Sequence, residues 1–197
     1  LTPLHVGAIH GYIEVIEILL RHFENIDLRC AAGKTPMDYA IANHKWDAVL
    51  LLISKGANLH NEDRNGLSPL KLIIMDNQVE FIGKLFELNH LNIDFINSKK
   101  LLHFAIKHKC FNVASLLLEK GADINLQDGF GSTPLHELLR NPDKPFMKEM
   151  LQKGPNLTLG NFMGTTPIHM AAKLGNVDFI EAINGHIGLN LPDLMGK

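Results

Sequence analysis

Apolar residues fall along this chain in short bursts. Within Ile13, Ile16, Leu19 and Leu20, and again within Val113, Leu116 and Leu117, they recur three and four residues apart, the spacing of one buried stripe on an α-helix. Other segments open on Thr-Pro, where a threonine caps orphan amides and a proline at the first helical position loses no needed donor. Gly56, Gly121 and Gly154 each follow a lysine, at the place where a helix ends in a left-handed cap. Asp63-Arg64-Asn65-Gly66 and Asp128-Gly129-Phe130-Gly131 carry turn chemistry. The pattern predicts pairs of short amphipathic helices separated by tight turns.

These signals are periodic. Leu1-Thr2-Pro3-Leu4-His5 reappears as Lys34-Thr35-Pro36-Met37-Asp38 and as Leu67-Ser68-Pro69-Leu70-Lys71. It returns as Lys99-Lys100-Leu101-Leu102-His103, as Ser132-Thr133-Pro134-Leu135-His136 and as Thr165-Thr166-Pro167-Ile168-His169. The threonine-equivalent positions 2, 35, 68, 100, 133 and 166 give steps of 33, 33, 32, 33 and 33. Lys55-Gly56-Ala57-Asn58, Lys120-Gly121-Ala122-Asp123 and Lys153-Gly154-Pro155-Asn156 keep the same phase. The excess of His and Gly in the chain, 11 and 16 residues, is therefore punctuation of a repeat.

A period near 33 with Thr-Pro-Leu-His resembles the ankyrin repeat. That resemblance implies an all-α repeat solenoid, with helix-turn-helix units and β-hairpin loops stacked in a curve. It tiles residues 1–197 as one array with repeats 1–33, 34–66, 67–98, 99–131, 132–164 and 165–196. Small residues at Ala40, Ala42, Ala171 and Ala172 stand where paired helices approach closely. Leu1 stands directly before Thr-Pro, and Asn190, Asp193 and Gly196-Lys197 copy Asn125, Asp128 and Gly131-Ser132. Neither end carries a polar cap, so the expectation is an internal fragment of a longer array.

The structural motif residues implied are Thr2, Pro3, His5, Thr35, Pro36, Pro69, His103, Thr133, Pro134, His136, Thr166, Pro167 and His169. In the family this histidine bonds backbone at the neighbouring hairpin, and Asp38 and Lys71 weaken that bond in the second and third units. Three further departures stand out. The third unit is one residue short, and in the fourth Lys100-Leu101 replaces Thr-Pro. In the fifth, Asn141-Pro142-Asp143-Lys144-Pro145 predicts a lengthened loop and a late, shortened second helix. Trp46 aligns with Ile13, Val79 and Phe111 and is expected in the core.

Composition narrows the chemistry. Nineteen Lys+Arg against 21 Asp+Glu argue against a general nucleic-acid footprint or a polybasic membrane patch. The longest apolar run, Ala48 to Ile53, is far short of the ~20 residues of a membrane span. One repeat position holds His5, His103, His136 and His169. Layers about 8–10 Å apart keep their imidazoles from sharing a metal with bonds near ~2 Å. Cys30 and Cys110 lie in different units, so both are expected as reduced thiols. Ser132, His136 and Asp128 are turn and cap residues of the repeat, not a nucleophile with its base. No catalytic residue, metal or cofactor is expected, and the chain reads as non-enzymatic.

Function then lies in surface positions. The resemblance implies that hairpin tips and first helices line a concave groove which binds a protein partner. The positions carried over include Arg64, Asn65, Met75, Asp76, Lys107, His108, Phe130, Ser132, Arg140, Asn141, Phe162, Met163, Lys173 and Leu174. Tip positions Ile96, Asn97 and Lys99 belong to the same set. Apolar Phe130, Phe162 and Met163 on consecutive tips, with Lys107, Arg140 and Lys173 nearby, suit an apolar partner segment of some acidic character; the other reading has Phe130 and Phe162 fold back onto adjacent hairpins or pack against the rest of a parent protein. Leu117 with Asp123-Ile124-Asn125 resembles the ankyrin site of an asparaginyl hydroxylase, which implies Asn125 as a modification position. The leading expectation is a protein–protein interaction scaffold that contacts a protein partner and the remainder of a longer parent chain. The alternative is the ankyrin segment of a larger secreted toxin or host-directed effector, latrotoxin-like or bacterial, with its chemistry elsewhere. The cytoplasm is favoured over a secreted setting.

Overall fold

The fold comes from a computed structural model of the 197-residue chain, which describes residues 1–22, 24–63 and 65–184. Arg64 and the expected copy at Asn190, Asp193 and Gly196-Lys197 lie outside the described residues. Among the described residues there are thirteen helices and no strand. Contacts group the chain into two compact units, 1–81 and 82–197.

In the first unit, α1 (Pro3–His10), α3 (Pro36–Ala42) and α5 (Pro69–Met75) form one row, with α3 packed on both α1 and α5. A second row holds α2 (Ile13–Leu20) and α4 (Trp46–Ser54), each packed on the first-row helix before it. The rows meet over Leu4, Ala8, Ile16, Met37, Ala40, Val49, Leu52, Leu70 and Ile73, all buried. Ala8 and Ala40 let the first-row backbones approach, as small residues must where helices cross closely. Trp46 is only half-buried, correcting its core placement. Its ring lies 5.0 Å from Phe81, at the rim where the outer row meets solvent.

α6 (Val79–Glu87) begins in the first unit and ends in the second. The second unit continues with α7 (Ile93–Ser98), α8 (Leu101–Lys107), α9 (Phe111–Glu119), α10 (Pro134–Arg140), α11 (Lys144–Gln152), α12 (Pro167–Leu174) and α13 (Val177–Asn184). α10 packs between α8 and α12, and α8 and α12 carry α9 and α13 on their outer side. Val113, Leu117, Leu138, Met150, Ala171 and Phe179 fill this core. Outer helices are tied to each other through Ser115, which donates to Glu149 Oε2 at 2.7 Å, and through Lys144 to Asp178 at 2.7 Å.

Two expectations are corrected here. The fifth unit has neither a long loop nor a short helix. Three residues, Asn141 to Asp143, join α10 to α11, and α11 runs nine residues. Asp143 explains this, because its carboxylate accepts the Phe146 amide at 2.9 Å and starts the helix one residue before Pro145. The junction of the third and fourth units departs further. A turn was expected at Ile96, Asn97 and Lys99, but α7 stands there, and Ile96 is 1% exposed. Asn92 caps α7 by accepting from the Phe95 amide at 2.8 Å. Ser98 occupies the position held by glycine in the other tips, and without that glycine the chain closes as a helix.

One backbone feature recurs between paired helices. Gly11, His44, Asn77, Lys109 and Gly175 share a repeat position, and all have φ between 52° and 71°. The connection needs a left-handed residue, which costs about 1–2 kcal/mol for a side chain with a Cβ. In the fifth unit Pro142 cannot adopt it, and the Asp143 cap turns the chain instead. Lys109→Gly relieves this strain, offset in part by the glycine's unfolded-state entropy. A stabilisation of about 0.5–1 kcal/mol is expected, read as a higher urea midpoint with unchanged slope.

Candidate protein-docking surface

Each unit presents tips that are tightly built. In four tips the amide of a glycine donates back to the first residue's carbonyl: Gly33 to Cys30, Gly66 to Asp63, Gly131 to Asp128 and Gly164 to Asn161, at 2.8–3.1 Å. The first residue's own amide donates to the carbonyl four residues on, as Asp128 does to Ser132 at 2.9 Å. These bonds close turns where hairpin strands were anticipated. Side chains add a second brace. Asp128 Oδ1 accepts the Phe130 and Ser132 amides, both at 2.8 Å, and Asp63 and Asn161 do the same in their tips. Lys34 donates to Asp63 at 3.1 Å, and the amides of Leu67 and Asn65 with that lysine hold the Asp63 carboxyl below its usual range.

Adjacent tips are stapled together. In the first unit Arg29 donates to the Gly33 carbonyl at 2.8 Å and to that of Glu62 at 3.4 Å. In the second, Gln127 at the same repeat position donates to the Gly131 and Gly160 carbonyls at 2.8 and 3.0 Å. The Phe162 amide donates to the Phe130 carbonyl at 3.0 Å. Neither staple was foreseen from sequence; a long donor side chain six residues before the capping position is the signal that marks it. Asn125 takes a related role, its Oδ1 accepting the Asn156 amide at 2.7 Å, as Asp27 accepts that of Asn58.

The motif histidines lie under the tips. His136 Nδ1 accepts from the Thr133 amide and hydroxyl at 3.1 and 2.8 Å, and Nε2 donates to the Thr165 carbonyl at 2.9 Å. His5 repeats this with Thr2 and the Lys34 carbonyl, and His103 Nε2 donates to Ser132 at 2.9 Å. His169 keeps the capping half on Thr166. Asp38 accepts the Thr35 amide at 2.8 Å, but a carboxylate has no proton for the next tip. Lys71 reaches back to Gly66 and Glu62. Lys100, left-handed at φ 53°, puts no hydroxyl beside His103, whose Nδ1 is buried without a partner. Thr2, Thr35, Thr133 and Thr166 each precede a proline that opens its helix, respectively Pro3, Pro36, Pro134 and Pro167, and Ser68 precedes Pro69.

The residues expected to meet a partner divide. Phe130, Phe162 and Met163 are 76%, 79% and 88% exposed, on braced tips of the second unit. Lys107, His108, Arg140, Lys173 and Leu174 are exposed at the last turns of α8, α10 and α12 or just beyond them, and Asn141 is half-buried. Arg140 donates to Glu137 at 2.7 Å, and His108 lies 4.3 Å from Phe104. Burial and the adjacent Lys107 push the His108 pKa down. In the first unit Asn65 and Met75 are exposed, while Asp76 is half-buried and accepts from Gln78 at 2.9 Å. Ser132 departs from expectation: at 1% exposure it lies under the tip, its carbonyl taken by His103.

Other chemistry is sparse. Cys30 and Cys110 are free thiols. A hydrogen bond with Tyr39 lowers the Cys30 pKa, whereas burial raises that of Cys110. No group of three or more His, Cys, Asp or Glu able to hold a metal occurs among the described residues. No helix among them is long and apolar enough to cross a membrane.

A family model for ankyrin repeats matches residues 1–63, 43–128 and 123–191. The chain belongs to the ankyrin repeat family. Mouse (Mus musculus) Rabankyrin-5 is 29% identical over 140 residues, covering 68% of this chain and 12% of that protein. Alpha-latrotoxin-Lg1a of Latrodectus geometricus is 27% identical over 170 residues, again 68% of this chain and 12% of the relative. The chain thus spans only about an eighth of these relatives' length. The crystal structure of the ankyrin repeat domain of Bcl-3 superposes with a TM-score of 0.84 at 24% identity, covering 100% of this chain and 91% of that one. Ankyrin repeat domains generally mediate protein–protein interaction and are generally non-catalytic.

Two outcomes follow from this geometry. A Cβ on Gly131, at φ +74°, would stand 2.8 Å from the Phe162 amide nitrogen, whereas one on Gly33, at φ +73°, meets nothing within 4 Å. Gly33→Ala should cost about 1 kcal/mol in backbone strain alone. Gly131→Ala should cost about 2 kcal/mol more as the two tips are forced apart, and denaturant melts of the pair read the difference. The second concerns pH. Burial pushes His103 and His136 below the ordinary 6.5, against the pull of the Ser132 and Thr165 carbonyls. As pH falls through about 6.5 the unfolded chain takes up protons that the fold refuses, so stability present above that pH is lost below it. The melting temperature should be lower at pH 5.5 than at 7.5, with a smaller drop in His136→Gln.

Proposed function

We propose that this chain is a non-enzymatic docking scaffold whose tips and first-row helices hold a protein partner. We assign its repeats to 1–33, 34–66, 67–98, 99–131, 132–164 and 165–196. The observation carrying the docking reading is the exposure of Phe130, Phe162 and Met163 on turns whose backbone is fixed by Asp128, Asn161 and Gln127. A turn needs no large apolar side chain at those positions, and a rigid one loses little entropy when it is covered. Aromatic and methionine side chains on such a platform are the material of binding hot spots. The non-enzymatic part rests on the imidazoles. His5 and His136 have both ring nitrogens engaged, which leaves no lone pair for general-base work.

The first unit adds Asn65, Met75 and Asp76 as contact positions of its own. The segment of a larger toxin or effector is matched through alpha-latrotoxin no better than through Rabankyrin-5, so docking within a longer protein covers both.

Selection of a displayed random-peptide library on the whole chain tests the reading. Sequenced clones should enrich on the parent chain and fall at least tenfold on Phe130→Ala/Phe162→Ala with unchanged melting temperature. Equal recovery on both would remove the tips from the binding surface.

A further inference from the structure

The second unit differs from the first in a way that names its partner's chemistry. Lys107, Arg140 and Lys173 share one repeat position at the last turns of α8, α10 and α12, and all three are exposed. The only carboxylate within those three helices is Glu137, already paired with Arg140. In the first unit α1 has no Lys, Arg, Asp or Glu, α3 has only the buried Asp38, and the Lys71 of α5 is held by Glu62. A net positive charge along α8, α10 and α12 is thus a property of the second unit. The apolar tips are too, since the first unit's tips offer Ala31, Ala32 and Asn65 in their place.

The two features form parallel rows. Phe130 and Met163 share a repeat position, Phe162 sits beside Met163, and Arg140 lies at the far end of α10 from Phe130. The seven residues of α10 rise about 10.5 Å, and residues 131–133 add to the distance between the rows. Along each row the step is the spacing of packed helices, about 8–10 Å. An α-helix with side chains is about 10–12 Å across, and seven residues of it rise about 10.5 Å. The step along the rows is close to that seven-residue rise, and the rows stand far enough apart to flank a helix.

We propose that the second unit takes an acidic amphipathic helix of a partner protein. It lies along the stacking direction, with apolar residues on Phe130, Phe162 and Met163 and carboxylates seven residues apart on Lys107, Arg140 and Lys173. The inference rests on the docking role proposed above and specifies its occupant. Charge complementarity selects the acidic edge: an incoming carboxylate meets Lys107 and Lys173 and competes with Glu137 for Arg140. The tip segments Asp128–Ser132 and Asn161–Thr165 contain no lysine or arginine. An anionic membrane taken up through Phe130 and Phe162 would need cations around those side chains, whereas the cations lie a helix length away.

The test uses the whole chain and three labelled peptides of about 21 residues, three heptads of helix. One carries Leu on one edge and Glu on the other at seven-residue spacing, the second is a scrambled isomer, and the third has Lys for Glu. Fluorescence anisotropy should show the patterned acidic peptide binding at least tenfold more tightly than either control. Binding should weaken at least tenfold in Lys107→Glu/Lys173→Glu and in Phe130→Ala/Phe162→Ala, and it should weaken with added salt. Circular dichroism melts confirm that both variants are folded. Equal binding of the patterned and scrambled peptides, or of the Lys peptide, would overturn the proposal. Sedimentation with anionic vesicles that depends on Phe130 and Phe162, without peptide binding, would overturn it in favour of a membrane. If library selection yields tip-dependent clones while the acidic peptide does not bind, the docking reading stands and the acidic helix alone falls.

Discussion

A neutral imidazole that faces two ways holds this fold in register. Its Nδ1 accepts the amide that starts its own helix, and its Nε2–H donates to the tip of the next unit, as His136 does between Thr133 and Thr165. One side chain therefore satisfies a helix terminus and couples two layers that have no strand between them. The constraint is strict in protonation: a second proton on Nδ1 would point at an N–H and lose that bond. It is strict in geometry too, because the cap must sit where the imidazole can meet it. Lys100 shows what happens otherwise: His103 keeps the layer bond through Nε2 while its Nδ1 is left unpartnered in the interior.

Since the histidine holds the layers from below, the tips above it are free to vary in side chain but not in backbone. Aspartate, asparagine or, at Cys30, cysteine takes the first tip position, glycine at the fourth closes the turn, and Arg29 or Gln127 staples it to its neighbour. Positions two and three then carry Ala31 and Ala32 in one tip, and Phe162 and Met163 in another, with the same closing bonds. Stability and recognition are thereby assigned to different residues. Gly131 is the place where they meet, because the Phe162 ring and amide lie directly on the face a Cβ would occupy.

The helices, their caps and the histidine relay were legible because each is set by residues within a few positions of one another. The exposure of Phe130 and Phe162 was only half legible: a turn's middle residues point away from it, but the sequence equally allowed their rings to fold back onto adjacent tips. Ser132 was misplaced because its position follows the turn, where the chain dives under the next helix, and a periodic alignment does not separate the two sides of that bend. The fifth unit was misread by giving weight to two prolines and none to Asp143, whose carboxylate could start the helix between them. The missing turn before α8 left two local signals, Asn92 as a cap and Ser98 where glycine was required. What left none is the pairing of side chains between layers, such as Ser115 with Glu149, because the partners are 34 residues apart and neither is a motif position.

Drift in a repeat is tolerated where a second device can do the same job, and the units show which positions have one. Asp143 replaces a left-handed residue that Pro142 forbids, and α7 replaces a turn that Ser98 does not close. Lys71 replaces a bond to the following tip with two to the preceding one. By contrast, Lys107, Arg140 and Lys173 are not needed by any of these devices: their helices are capped by the backbone amides of His108, Asn141 and Gly175. Each basic group in a last turn complements its helix dipole, and Arg140 pairs with Glu137, but neither use calls for apolar side chains on the neighbouring tips. The ligand proposed above, supplying carboxylates and apolar surface together, would give a common reason for the cations at the ends of α8, α10 and α12 and the apolar groups on two neighbouring tips.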